Sequence, residues 1–244
     1  MSDLTKTVTI ANDQLFSMAA IVTKSLTLAV QALLESAPML AQRVIEDDRI
    51  INTYEIDIDA NTYDALAFAQ APAETVKLLL AIQKINPMLE RIGDHTVNIA
   101  ESAITLTTRQ HDKVLFDLPR MAELAIRLLR DAVKGFFQRD ASLVQNVLTR
   151  DDEIDRLNIM ITINVKEKVM DGTMSFATAM EIIRVCKNLE RIADLASNIA
   201  EESSFLISGK VVKHQAALGR QAGVITDDRH SVEGPASVRR ECIC

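Results

Sequence analysis

Glycine, proline and aromatic side chains are scarce in this chain. Of 244 residues, 7 are Gly, 5 are Pro, 7 are Phe, 2 are Tyr and none is Trp. A β-rich fold of this length needs many turn residues and many β-branched and aromatic strand positions. The scarcity therefore excludes an all-β protein. It also excludes an enzyme built on a glycine-rich phosphate loop, because no GxxxxGK[ST] spacing occurs. Cysteine is equally sparse. Cys186 stands alone, Cys242 and Cys244 lie at the C-terminus, and no CxxC or secreted disulfide framework is present. The segment Met1–Lys6 lacks a signal-peptide core, and no run of 18 uncharged apolar residues occurs. We therefore expect a cytoplasmic protein that meets a membrane only through partners.

The chain also lacks a basic character. Its formal net charge is −7, and residues 210–244 contribute +2 of that total, which leaves about −9 on the body. Such a charge disfavours a nucleic-acid binder, which needs cations to displace phosphate counterions. It suits cation binding or contact with a basic protein surface.

What is present is helical periodicity. A first segment from about Asn12 to Ser36 places Phe16, Ala19, Ala20, Thr23, Leu26, Val30, Leu33 and Leu34 at three- and four-residue steps. Pro38 sits in the first turn of a second segment that reaches about Ala69. Pro72 opens a third, to about Thr108, with Pro87 predicting a kink inside it. Asp117-Leu118-Pro119 opens a fourth, which ends near Asp140. A fifth is expected from Ala141 to Asp171, stopping at Gly172. Ser175 is the expected N-cap of a sixth that ends near Ser208-Gly209. Four of the seven glycines fall in the last 36 residues, where the periodicity is lost. That composition predicts a flexible, disordered tail over residues 214–244.

The chain repeats itself. Residues 89–101 read Leu-Glu-Arg-Ile-Gly-Asp-His-Thr-Val-Asn-Ile-Ala-Glu, and residues 189–201 read Leu-Glu-Arg-Ile-Ala-Asp-Leu-Ala-Ser-Asn-Ile-Ala-Glu. Nine of thirteen positions are identical, without a gap, at an offset of 100. Upstream, Asp48-Arg49-Ile50-Ile51-Asn52 matches Asp151-Asp152-Glu153-Ile154-Asp155 more weakly. The fold class expected is all-α: two tandem homologous three-helix bundles, six long helices in all. The repeats would span 1–110 and 111–213, with the tail after them.

At about 100° per residue, Glu90, Asp94, Asn98 and Glu101 share one helix face. Ile85, Ile92, Ile99 and Ala103 share the opposite one. Glu190, Asp194, Asn198 and Glu201 repeat the acidic stripe on the sixth segment. Asp48, Asn52, Glu55 and Asp59 align on the second segment, and Asp151, Asp155 and Asn158 on the fifth. An acidic stripe opposite an apolar one is usually just a solvated face. Here like charges recur at i, i+4, which destabilises an isolated helix. A cation bridging neighbouring helices would neutralise them. Carboxylates and Asn carbonyls suit hard ions, and carboxylates also hold Fe and Zn. Arg91 and Arg191 flank the stripes and offer another outcome, in which the acids form ion pairs and hold no metal.

The paired Glu-Arg-Ile-x-Asp-x-x-x-Asn-Ile-Ala-Glu segments resemble the PhoU family of phosphate-signalling regulators, over about residues 8–213. The preceding Asp-x-x-Ile-Asn and Asp-x-x-Ile-Asp segments agree with this in order and spacing. The resemblance implies a pair of three-helix bundles, often dimeric. It implies partners in a phosphate ABC transporter ATPase and a phosphate-sensing histidine kinase, with phosphate-starvation genes held down when phosphate is plentiful. It also implies metal sites, with Fe, Zn, Mn or Mg as candidate ions. The first would use Asp48, Asn52, Glu90, Asp94 and Asn98, and the second Asp151, Asp155, Glu190, Asp194 and Asn198. Asn52 departs from the acidic form of the pair and brings no charge.

No catalytic motif competes. None of His95, His111, His214 or His230 follows a Glu by three residues, so the ferritin-like di-iron pattern is missing. No HExxH or GxSxG spacing occurs. His95 reads as a surface residue and Cys186 as a small apolar one. The expectation is a non-enzymatic regulator. The alternatives are a helical metal-binding structural protein and a metal-dependent phosphohydrolase.

Overall fold

The computed structural model describes residues 2–68, 71–107 and 117–208. The expected tail lies outside the described residues, as do the boundary at 110/111, the second-segment end at Ala69 and the third-segment end at Thr108. Among the described residues there are seven helices and no strand. They are α1 (Ser2–Glu35), α2 (Pro38–Leu66), α3 (Ala73–Thr107), α4 (Leu118–Gln138), α5 (Ala141–Leu148), α6 (Asp151–Met170) and α7 (Phe176–Ser208).

The apolar spacing of the first segment becomes a buried stripe of Leu15, Met18, Ala19, Val22, Leu26, Ala29, Val30 and Leu33. The helix starts ten residues before the expected Asn12. Thr7 and Thr9 there donate their hydroxyls to the carbonyls of Asp3 and Thr5, which lets these poor helix formers sit in a helix with their polar atoms bonded. Ser36 ends α1 in the left-handed region at φ 54°. The next amide, Ala37 N–H, reaches back to Ala32 O at 2.9 Å and closes the terminus. Arg139 does the same for α4 at φ 52°, with Asp140 N–H donating to Gly135 O at 3.1 Å.

Other punctuation falls as expected. Pro38 and Pro119 occupy first turns. The hydroxyl of Ser175 accepts from Thr178 N–H at 3.1 Å and caps α7. Gly172, at φ 78°, follows the end of α6. Helix α3 runs through Pro87 without a break.

The fifth segment is jointed. It divides into α5 and α6 around Thr149 and Arg150. The acidic run 151–153, expected in mid-helix, instead opens α6, where the helix dipole favours negative charge. Asp140 caps the short α5, accepting from Ser142 N–H at 2.8 Å and Leu143 N–H at 3.3 Å.

Helices α1, α2 and α3 pack on one another to make the first bundle, and α4, α5 and α6 gather on α7 to make the second. The bundles meet mainly through α3 against α7, and less through α1 against α4. Their apolar faces merge into a single cluster that includes Leu26, Ile51, Leu89 and Ile92 from one half and Leu128, Ile154, Leu189 and Ile192 from the other. Cys186 is part of that cluster, and burial pushes its thiol up to about 12. One helix, α1, is long and apolar enough by composition to cross a membrane; half of that window is buried inside the bundle.

Candidate metal centre

In the first half, α2 supplies Asp48, Asn52 and Glu55, and α3 supplies Glu90 and Asp94. Gly93 lies under this group. A Cβ there would lie 3.2 Å from Ile51 Cδ1 and 3.3 Å from Asp48 Oδ1, so α2 and α3 pack tightly at this point.

That oxygen, Oδ1, is buried without a hydrogen-bond partner, while Oδ2 accepts from Asn52 Nδ2 at 3.2 Å. Burial raises the Asp48 carboxyl above its ordinary range, and the nearby Asp94 charge raises it further. Glu90 is raised in the same way, first by burial and then by Asp94, Glu55 and Asp48. Four carboxylates thus repel one another across the α2–α3 seam. Their chemistry, oxygen donors with one orphaned and buried, fits a hard cation. Among the described residues, no three His, Cys, Asp or Glu side chains converge on a common point at metal-binding spacing.

The second half is arranged differently. Glu190 is held from both sides, with Lys187 Nζ donating to Oε1 and Asn158 Nδ2 to Oε2. Arg191 Nη1 donates to Asp194 Oδ2 at 3.2 Å. Arg191 thus makes an ion pair with Asp194, whereas Arg91 has no such pair among the described residues. Asp155 and Asn198 are exposed on α6 and α7. Asp151 begins α6, and its side chain lies outside the described set.

Asn98 is drawn away from the first group. It accepts from Arg184 Nη2 on α7 at 2.8 Å, and the same guanidinium nitrogen donates to Glu101 at 2.6 Å. Asp59 is likewise committed, accepting from Gln83 Nε2 at 3.0 Å and Asn86 Nδ2 at 2.9 Å. His95 is not a plain surface residue. It is half-buried, and its Nδ1 donates to Asn188 Oδ1 on α7 at 2.9 Å.

The contacts of Asn98, Glu101 and His95 with α7 belong to a polar seam between the bundles that sequence reasoning missed. Lys84 on α3 donates to Glu202 on α7 at 2.8 Å. Arg184 stands 100 residues after Lys84 and reaches back from α7 to α3. The two cations occupy equivalent positions in the repeat, which was the available signal. Their partners could not be read without knowing that α3 and α7 run antiparallel.

The PhoU domain model matches this chain twice, over residues 15–103 and 118–203, once on each bundle. The phosphate-specific transport system accessory protein PhoU homolog of Aquifex aeolicus is 32% identical over 203 residues, covering 83% of this chain and 92% of its own. The PhoU homolog 1 of Thermotoga maritima, which carries the same description, is 29% identical over 206 residues, covering 84% and 89%. The crystal structure of PhoU from Pseudomonas aeruginosa superposes with a TM-score of 0.81 at 29% identity, covering 84% of this chain and 99% of that one. The phosphate transport system regulatory protein PhoU from Streptococcus pneumoniae shares the fold, with a TM-score of 0.77 at 22% identity. With both bundles matched over more than half its length, the chain belongs to the PhoU family.

Proposed function

We propose that this protein is a non-enzymatic accessory regulator of phosphate transport. The observation that carries this reading is the double PhoU-domain match, supported by relatives described as phosphate-specific transport system accessory proteins. In this reading it works in the cytoplasm, as a homodimer, against the ATPase of a phosphate ABC transporter and a phosphate-sensing histidine kinase. It restrains uptake and starvation-gene expression when phosphate is plentiful.

Asp48, Asn52, Glu90 and Asp94, with Glu55 beside them, would hold a divalent or ferric ion in the first half once their side chains turn to converge on it. A bound ion would supply positive charge that offsets their repulsion and ties α2 to α3. The supporting observations are the orphaned Asp48 oxygen and the raised carboxyls of Asp48 and Glu90. In the second half, an ion would first have to displace Lys187 and Asn158 from Glu190 and Arg191 from Asp194.

Deletion of the gene from its host, with alkaline phosphatase measured in high phosphate, tests the regulatory role. Derepression supports it, and unchanged repression with unchanged phosphate uptake contradicts it.

A further inference from the structure

Away from the acidic seam, α1 and α4 leave between them an open groove of about 380 Å³. Phe16, Ala20 and Thr23 form one wall, from a single stripe of α1 at i, i+4 and i+7. Ala20 is exposed, and the Thr23 hydroxyl is bonded to the Ala19 carbonyl of its own helix at 2.8 Å, so that wall is shallow and mostly apolar. Phe16 is 56% exposed, although its ring meets Phe137 edge-on at 5.1 Å between centroids.

Three cations rim this groove: Lys24 on α1, and Arg130 and Lys134 one turn apart on α4. All three are exposed, and none is in an ion pair among the described residues. The contrast along α4 is informative, because Arg127, just before them, is neutralised by Glu123 at 2.8 Å. A chain of net charge −7 thus holds three unneutralised cations around one apolar hollow.

We infer that the α1–α4 groove docks an acidic amphipathic helix of a partner protein. The lined stretch of α1, residues 16–28, is about 18 Å long at 1.5 Å per residue, or roughly three helical turns. A helix laid there would bury apolar side chains against Phe16 and Ala20 and direct carboxylates toward Lys24, Arg130 and Lys134. Helices recognised in grooves present anchors at such spacing, and complementary charge steers the encounter and selects the partner. The inference does not depend on the phosphate-transport reading.

The test uses the full chain and a fluorescein-labelled amphipathic peptide of Leu and Glu, followed by anisotropy. Binding is expected to weaken as salt rises. The variant Lys24→Glu/Arg130→Glu/Lys134→Glu is expected to lose about tenfold or more in affinity, and to bind the Leu/Lys version of the peptide instead. A second variant, Ala20→Leu, keeps every charge and fills the groove at an exposed position; it is expected to weaken binding as well. Circular dichroism melting confirms that both variants are folded. The inference is overturned if the Leu/Glu peptide fails to bind, or if it binds wild type and both variants alike. It is also overturned if phosphatidylglycerol vesicles bind through these three cations while the peptide does not, since the groove would then be a lipid-facing surface.

Discussion

Lys84 Nζ lies 2.8 Å from Glu202 Oε2 across the seam between α3 and α7, and the Glu202 side chain is only 3% exposed. A carboxylate so placed depends on its partner for charge compensation. Lys84→Met should therefore cost about 2 kcal/mol, below the roughly 3–5 kcal/mol of a fully buried pair because Lys84 itself is half exposed. Lys84→Met with Glu202→Gln should recover much of the loss. Urea unfolding reads both, and a double variant as unstable as the single one would count against this account of the seam.

The pH dependence of stability should have two limbs of opposite sign. Asp48 and Glu90 are raised in the folded state, so the folded chain binds protons more tightly than the unfolded chain. Stability should then rise as pH falls from 7 through their raised values toward the ordinary carboxylate range. Asp140 and Asp171 are lowered by hydrogen bonds from Ser142 and Thr173, so their contribution is lost as pH falls below the ordinary Asp value. The apo protein should therefore melt highest at mildly acidic pH, and Asp48→Asn should flatten the upper limb. A melting temperature highest at pH 7, with no change in Asp48→Asn, would contradict the repulsion described here.

Two glycines should respond differently to alanine. A Cβ at Gly135 would meet Val144 Cγ2 at 2.9 Å and the Val144 backbone N at 3.4 Å, where α4 turns into α5. The clash should outweigh the gain in helix propensity of about 1 kcal/mol and leave Gly135→Ala about 1 kcal/mol less stable. At Gly93 the nearest contacts are 3.2–3.4 Å, and Ala193 occupies the equivalent repeat position. Gly93→Ala should fall within about 0.5 kcal/mol of wild type. Equal losses at both sites, in chemical denaturation, would argue against the packing described.

Backbone conformation gives a further pair. Gly172 has φ 78° and nothing within 4 Å of its would-be Cβ, so Gly172→Ala carries conformational strain alone, about 1 kcal/mol. Arg139, at φ 52°, already bears that strain, and Arg139→Gly should raise the melting temperature. Opposite shifts in calorimetry are the expected result.

Much of the fold was legible because its punctuation is chemical. Pro38, Pro119, Ser175 and Gly172 each mark a helix end through a local constraint that needs no tertiary information. The start of α1 was missed because Thr5, Thr7 and Thr9 have low helix propensity, and the back-bonded hydroxyls of Thr7 and Thr9 show only in the structure. The joint at Thr149 and Arg150 was missed because the acidic run after it was read as a mid-helix stripe. The same residues are an N-terminal signature once the break is allowed. Asp48, Asn52, Glu90 and Asp94 were legible as one group, but the loss of Asn98 to Arg184 and the asymmetry between the halves were not. Whether Glu190 repels its neighbours or is held by Lys187 and Asn158 depends on how α6 lies against α7, which helical periodicity does not fix.

The central claim, an ion held by the first-half carboxylates, is most directly tested by melting the metal-stripped protein across a Mn²⁺ titration. Wild type should gain stability with Mn²⁺ concentration, as for any ligand that binds the folded state alone. Asp48→Asn/Glu90→Gln should lose that gain, while Glu190→Gln/Asp194→Asn should keep it. Equal gains in wild type and in Asp48→Asn/Glu90→Gln would contradict the claim.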